Sequence, residues 1–186
     1  IIEANNVIRP LNLIENYPGE GTIVVTTKKG DKVRVTNILG QAFMKEVITS
    51  PYANLTLLIV DSEPMIHIVD YHAEATAEKM TIAWEFDGQV SAVLGTHTHV
   101  QTRDARMLPN GTAYISDVGM TGAYNGIIGA DRDVVIKKVW FDNKTPFTYR
   151  AKDKERQFSA VILEINKKTF KTEKITPLYY LWRVDE

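Results

Sequence analysis

The chain has 186 residues, of which 44% are hydrophobic and 24% charged, with a net charge of −1 and no cysteine. That length fits one domain, or one plus an appendage, around a sizeable core. The charge gives no support to a nucleic-acid face or an anionic membrane surface, and the missing cysteine excludes disulfides, thiolate metal sites and a cysteine nucleophile.

There is no run of about 18 or more apolar residues and no basic-plus-apolar leader, so a cytoplasmic location without membrane contact is expected. The sequence opens Ile1-Ile2-Glu3 without an initiator methionine, as a processed start or a piece of a longer protein would.

Residues 1–21 read as irregular, with Arg9-Pro10-Leu11-Asn12 and Tyr17-Pro18-Gly19-Glu20-Gly21 as turn-rich punctuation. Thr22 to Thr27 and Lys32 to Ile38 are β-rich, and Lys28-Lys29-Gly30-Asp31 between them predicts a hairpin. After a loop from Gly40 to Thr49, Ser50-Pro51 supplies an N-cap and a first-turn proline for a short helix. It should reach about Ser62 and stop at Pro64, although Leu55, Leu57, Leu58, Ile59 and Val60 also suit a strand. Met65 to Asp70 has the apolar character of a strand buried on both faces.

Ala73 to Phe86 predicts a helix, since Ala73, Ala77, Met80 and Trp84 recur at helical spacing and Asp87-Gly88 supplies a stop. Val90 to Leu94 is the next short buried strand. Strand, helix and strand in this order favour a parallel pair, and in such sheets ligands gather beyond the carboxyl ends. Thr112 to Asp117 predicts a further strand, and Gly119, Gly122, Gly126 and Gly129 an irregular loop that fits no Rossmann or P-loop pattern. Asp131 is placed to cap a helix through Trp140. Residues 147–151, 158–165 and 169–176 read as antiparallel strands, with Asn166-Lys167-Lys168-Thr169 as a turn.

Both predicted parallel strands run into histidine: His72 after the first, and Gly95-Thr96-His97-Thr98-His99 after the second. On extended backbone, positions i and i+2 project to one side, which would present the His97 and His99 imidazoles together. Imidazole ligates zinc, iron, nickel and similar metals. His72, His97 and His99 are therefore candidate metal ligands, for one ion or for half of a two-metal site. His67, mid-strand and on the opposite face from His72, reads as structural. Asp70 and Asp117 could each hold the far nitrogen of a ligand histidine. Glu74 falls in the predicted first helical turn, where the helix dipole favours a carboxylate. Thr96, Thr98 and Thr121 could contact a phosphate. No serine lies in a nucleophile-elbow sequence.

Three blocks resemble one family in order and spacing: Val69-Asp70-Tyr71-His72-Ala73-Glu74-Ala75-Thr76-Ala77-Glu78-Lys79, Gly95 to Thr102, and Tyr114 to Gly122. The chain is thereby similar to the YmdB-like bacterial metallophosphoesterases. Arg9-Pro10-Leu11-Asn12 and Asn37-Ile38-Leu39-Gly40 match weaker signatures upstream. The resemblance implies an α/β fold, a calcineurin-like metallophosphoesterase sandwich with αββα layers. It implies hydrolysis of phosphoesters such as 2′,3′-cyclic nucleotides through two metal ions, iron or manganese, with zinc or magnesium as alternatives. His72 and His97 would then serve one ion and His99 its partner. The expected partner is a small phosphoester or cyclic nucleotide, with RNA ends a further candidate, and a homo-oligomer is compatible with the family.

Three family blocks lack a counterpart here: the opening strand ending in Gly-Asp, then Gly-Glu-Asn and Gly-Asn-His. Residues 1–186 are thus expected to be the C-terminal portion of a single metallophosphoesterase domain, without its N-terminal strands and helices. No catalytic residue is assigned within the chain, because the family's general-acid histidine would lie upstream of Ile1. The chain alone is expected to be a poor enzyme. Two other readings stay open: a non-catalytic metal-binding or scaffold fragment, and a mononuclear His₃ zinc hydrolase.

Overall fold

Thr22–Thr26 and Lys32–Leu39 are rich in Val, Ile and Thr, and these segments form β1 and β2, an antiparallel hairpin that pairs Thr22 with Thr36. The computed structural model describes residues 6–14, 18–45, 48–146 and 153–184. Helix α1 (Pro51–Val60) starts as its sequence directs: the Ser50 hydroxyl accepts the Ala53 N–H at 3.2 Å and Pro51 needs no partner. The strand alternative for this segment is not taken.

The apolar run after Pro64 becomes β3 (Ile66–His72), and the next becomes β4 (Ala92–Thr96), joined by α2 (Thr76–Glu85). The two strands are parallel and neighbours, with His72 opposite Thr96. Strands β5 (Arg106–Met107) and β6 (Ala113–Ile115) complete a six-stranded sheet of order β1-β2-β3-β4-β6-β5. Its four central strands are parallel and its two edges antiparallel.

Val69, Tyr71, Val93 and Tyr114 of this sheet are fully buried together with Leu55 of α1 and Ile82 and Ala83 of α2. Burying each large apolar side chain contributes about 1.5–3 kcal/mol, so this cluster fixes how the parallel strands sit. A three-stranded antiparallel sheet follows, β7 (Thr121–Ala123), β8 (Glu155–Ile165) and β9 (Thr172–Arg183), with α3 (Arg132–Trp140) between its first two strands. The Gln101 side-chain amide faces the carbonyls of Val118, Ala160 and Leu178 and ties this sheet to the loop after β4.

Two sequence expectations are corrected. Helix α2 begins at Thr76, not Ala73, because Ala73 is buried and its N–H is directed at the Thr96 carbonyl, which keeps the chain extended past β3. Strand β7 forms within the glycine-rich stretch read as loop, where backbone pairing with β8 outweighs weak side-chain propensity. The strand expected at residues 147–151 lies outside the described residues. Among the described residues, no helix is long and apolar enough to cross a membrane.

Candidate metal centre

Strands β2, β3 and β4 end side by side, at Leu39, His72 and Thr96. Asn12, wholly buried, clamps the first of these ends: its Oδ1 accepts the Leu39 N–H at 3.0 Å and its Nδ2 donates to the Leu39 carbonyl at 2.9 Å. The Arg9-Pro10-Leu11-Asn12 block thus acts on the site through the backbone. Gly95 lies where a Cβ would overlap the Ser116 carbonyl oxygen, so only glycine lets β4 approach the exit of β6 this closely.

His72 Nε2 and His97 Nδ1 face each other at 3.1 Å, with the rings edge to face and their centroids 4.9 Å apart. The far nitrogen of each ring is held by protein. His72 Nδ1 lies 3.1 Å from Thr96 Oγ1, and His97 Nε2 lies 2.7 Å from Glu74 Oε2. Burial, followed by the neighbouring His97, lowers the pKa of His72, while Asp70 works in the opposite direction. The neutral ring that results is the form that ligates metal.

Two nitrogens each about 2.05 Å from a common ion and 3.1 Å apart would subtend about 98° at it, between octahedral and tetrahedral. The donor set of His72 and His97 therefore fits one metal ion. Both far nitrogens are occupied, as the outer contacts of ligand histidines usually are.

His99 is placed differently. Its Nδ1 lies 2.8 Å from the Ile128 carbonyl, 29 residues on in the sequence. The expectation of extended backbone through His97 and His99 is corrected, since β4 stops at Thr96. His97 has φ 127° and His99 φ 67°, left-handed values that break the strand alternation, and Ile128 has φ 46°. Such residues cost about 1–3 kcal/mol each and persist where the surroundings impose them. Asp117 is one source of that restraint: its Oδ2 accepts the Thr98 N–H at 2.7 Å, between the two histidines. Among the described residues, no three His, Asp or Glu side chains gather around one point as metal ligands would.

The remaining candidates divide. Asp70 does not reach a histidine directly; it accepts Asn37 Nδ2–H at 2.8 Å and the Thr96 hydroxyl at 2.9 Å. Asp117 pairs with buried Lys79 at 3.5 Å instead of with a histidine. His67 is buried, bonded to Thr36 Oγ1 at 2.9 Å, and structural as expected. Glu74 was read as a helix-terminus carboxylate, yet it lies before α2 and meets His97. Its signal was its place two residues after His72, visible only once the helix start is known.

The family model described as YmdB-like protein matches residues 1–178. The 2′,3′-cyclic-nucleotide 2′-phosphodiesterase of Bacillus subtilis is 42% identical over 178 residues, covering 94% of this chain and 66% of that protein. Two crystal structures superpose with TM-scores of 0.88: a hypothetical protein from Thermus thermophilus, 35% identical over 99% of this chain and 70% of its own, and a phosphatase from Mycoplasma pneumoniae, 34% identical over 98% and 66%. The chain spans about two thirds of the curated relative's length. With all three resembling blocks, two of them histidine-bearing, inside the matched region, the chain belongs to the YmdB-like protein family.

Proposed function

We propose that this chain supplies the histidine side of a dinuclear metal centre that hydrolyses phosphoesters, 2′,3′-cyclic nucleotides among them. The observation that carries the proposal is the 3.1 Å approach of His72 Nε2 to His97 Nδ1, with both far nitrogens held by protein. His72 and His97 would hold one ion and His99 its partner, with iron or manganese favoured over zinc or magnesium. Ions so held supply positive charge to phosphoryl oxygens and acidify water.

The chain's own residues keep this donor set in place. Thr96 and Glu74 orient the two facing rings, and Asp117 holds the turn between His97 and His99. A mononuclear centre on all three imidazoles has less support, because among the described residues no three such side chains gather around one point.

Two dications about 4 Å apart repel by on the order of 16 kcal/mol at an effective dielectric of about 20, so carboxylates must offset them. On this proposal those carboxylates belong to the part of the relatives' length that this chain does not match. The calcineurin-like αββα layering belongs to the same proposal. The name of the Bacillus subtilis relative supports the substrate class, and RNA ends with a cyclic phosphate share that chemistry.

The test is hydrolysis of bis(4-nitrophenyl) phosphate and 2′,3′-cyclic AMP with Mn²⁺. It would compare this chain with the same sequence joined to the unmatched portion of the Bacillus subtilis relative. The joined protein should turn over both substrates, this chain at least about 100-fold more slowly, and His72→Ala should abolish the activity. A folded, Mn²⁺-loaded joined protein without turnover would overturn the proposal.

A further inference from the structure

Three adjacent strands contribute to one line of hydrogen bonds behind His72. Register places Asn37 of β2 opposite Asp70 of β3, and His72 of β3 opposite Thr96 of β4. Asp70 and His72, two apart on one strand, project to the same face. The sheet itself therefore sets the order Asn37, Asp70, Thr96, His72, with donor–acceptor distances of 2.8, 2.9 and 3.1 Å.

Counting protons along this line gives it a direction. The Asp70 carboxylate only accepts, and it accepts one hydrogen bond from the Asn37 amide and one from the Thr96 hydroxyl. A threonine hydroxyl has a single proton, and with that proton committed to Asp70 it can only accept from His72 Nδ1. Nδ1 then carries the hydrogen of the neutral ring, and Nε2 presents its lone pair toward His97. Threonine suits the post, because its branched Cβ restricts χ1 and keeps the hydroxyl from swinging away.

We propose that Thr96 is a positioning residue that, oriented by Asp70, selects the Nδ1–H tautomer of His72 and so aims the Nε2 lone pair into the gap shared with His97. Its consequence for metal binding rests on the reading of that gap as a metal site; the tautomer itself does not. A carboxylate acting through a hydroxyl fixes the ring while keeping its charge one group farther from the imidazole.

The experiment uses this chain with ¹⁵N-labelled histidine, metal-free, at a pH where His72 is neutral. Long-range ¹H–¹⁵N correlation spectra report which ring nitrogen carries hydrogen. The expected result is a protonated Nδ1 and a lone-pair Nε2 on His72, retained in Thr96→Ser and lost or mixed in Thr96→Val. Titration with Mn²⁺ or Zn²⁺ should show affinity weakened about 10–100-fold in Thr96→Val and near wild type in Thr96→Ser, the range for outer contacts of ligand histidines. A wild-type His72 with hydrogen on Nε2 would overturn the proposal, even if Thr96→Val does not fold. So would Thr96→Val keeping the wild-type tautomer. If the wild-type chain binds no metal yet shows the expected tautomer and its loss in Thr96→Val, the metal reading fails and the role of Thr96 stands.

Discussion

Replacing Asp117 by alanine should destabilise the chain severely and loosen the turn that carries two candidate ligands. The Asp117 and Lys79 side chains are 2% and 1% exposed, with Lys79 Nζ 3.5 Å from Asp117 Oδ2. At that distance and an effective dielectric of about 20, their attraction is about 5 kcal/mol. Asp117 also accepts the Thr98 N–H at 2.7 Å and the Gly119 N–H at 2.8 Å. Asp117→Ala leaves an uncompensated buried ammonium and two backbone donors without their acceptor, and breaking a buried pair from one side costs about 3–5 kcal/mol. For a chain of this size that corresponds to a fall in Tm of about 6–20 °C. The assay is thermal and urea unfolding of wild type, Asp117→Ala, Lys79→Met and the double variant. The double variant should lose less than the sum of the singles, by about 2 kcal/mol, since neither charge is then left alone. A loss below about 1 kcal/mol in Asp117→Ala would refute the reasoning, and strict additivity would show that the two charges do not interact.

Burial, followed by the charge of Arg34, lowers the pKa of His67 from 6.5 to about 4. The unfolded chain thus binds a proton between these values that the folded one refuses, so this contribution to stability is full above pH 6.5 and lost as pH falls toward 4. The loss is up to about 3 kcal/mol, and urea midpoints of His67→Gln should show a flatter pH dependence than wild type. His67→Ala should cost about 1–3 kcal/mol in urea unfolding and leave metal uptake intact. Gly95→Ala should lower the thermal midpoint and weaken metal uptake together, because its Cβ would meet the Ser116 carbonyl behind the site. Asp131→Ala should cost about 1 kcal/mol, since its carboxylate accepts the Asp133 and Val134 N–H groups that open α3.

The strand–helix–strand unit was legible because each part carries its own local signal: the apolar run of β3, the helical spacing of Ala77, Met80 and Trp84, and the stop at Asp87-Gly88. Ser50-Pro51 and Asp131 announced two helix starts for the same reason. The start of α2 was not legible. Ala73 and Ala75 suit a helix by propensity, but burial of Ala73 and its N–H contact with Thr96 hold the segment extended, and Glu74 reaches His97 as a result. The conformations of His97 and His99 were equally hidden. No glycine or asparagine marks these left-handed positions, which depend on Asp117 and Ile128, distant in sequence. The two-residue strand β5 is too short to show a period.

Metal content tests the central claim most directly: that His72 and His97 hold one ion between them. Wild type, His72→Ala, His97→Ala and His67→Ala would be loaded with Mn²⁺, desalted, and measured for bound metal per folded chain. The expected result is that wild type and His67→Ala retain the ion, while His72→Ala and His97→Ala each lose it. Retention of wild-type metal by either His72→Ala or His97→Ala would contradict the account.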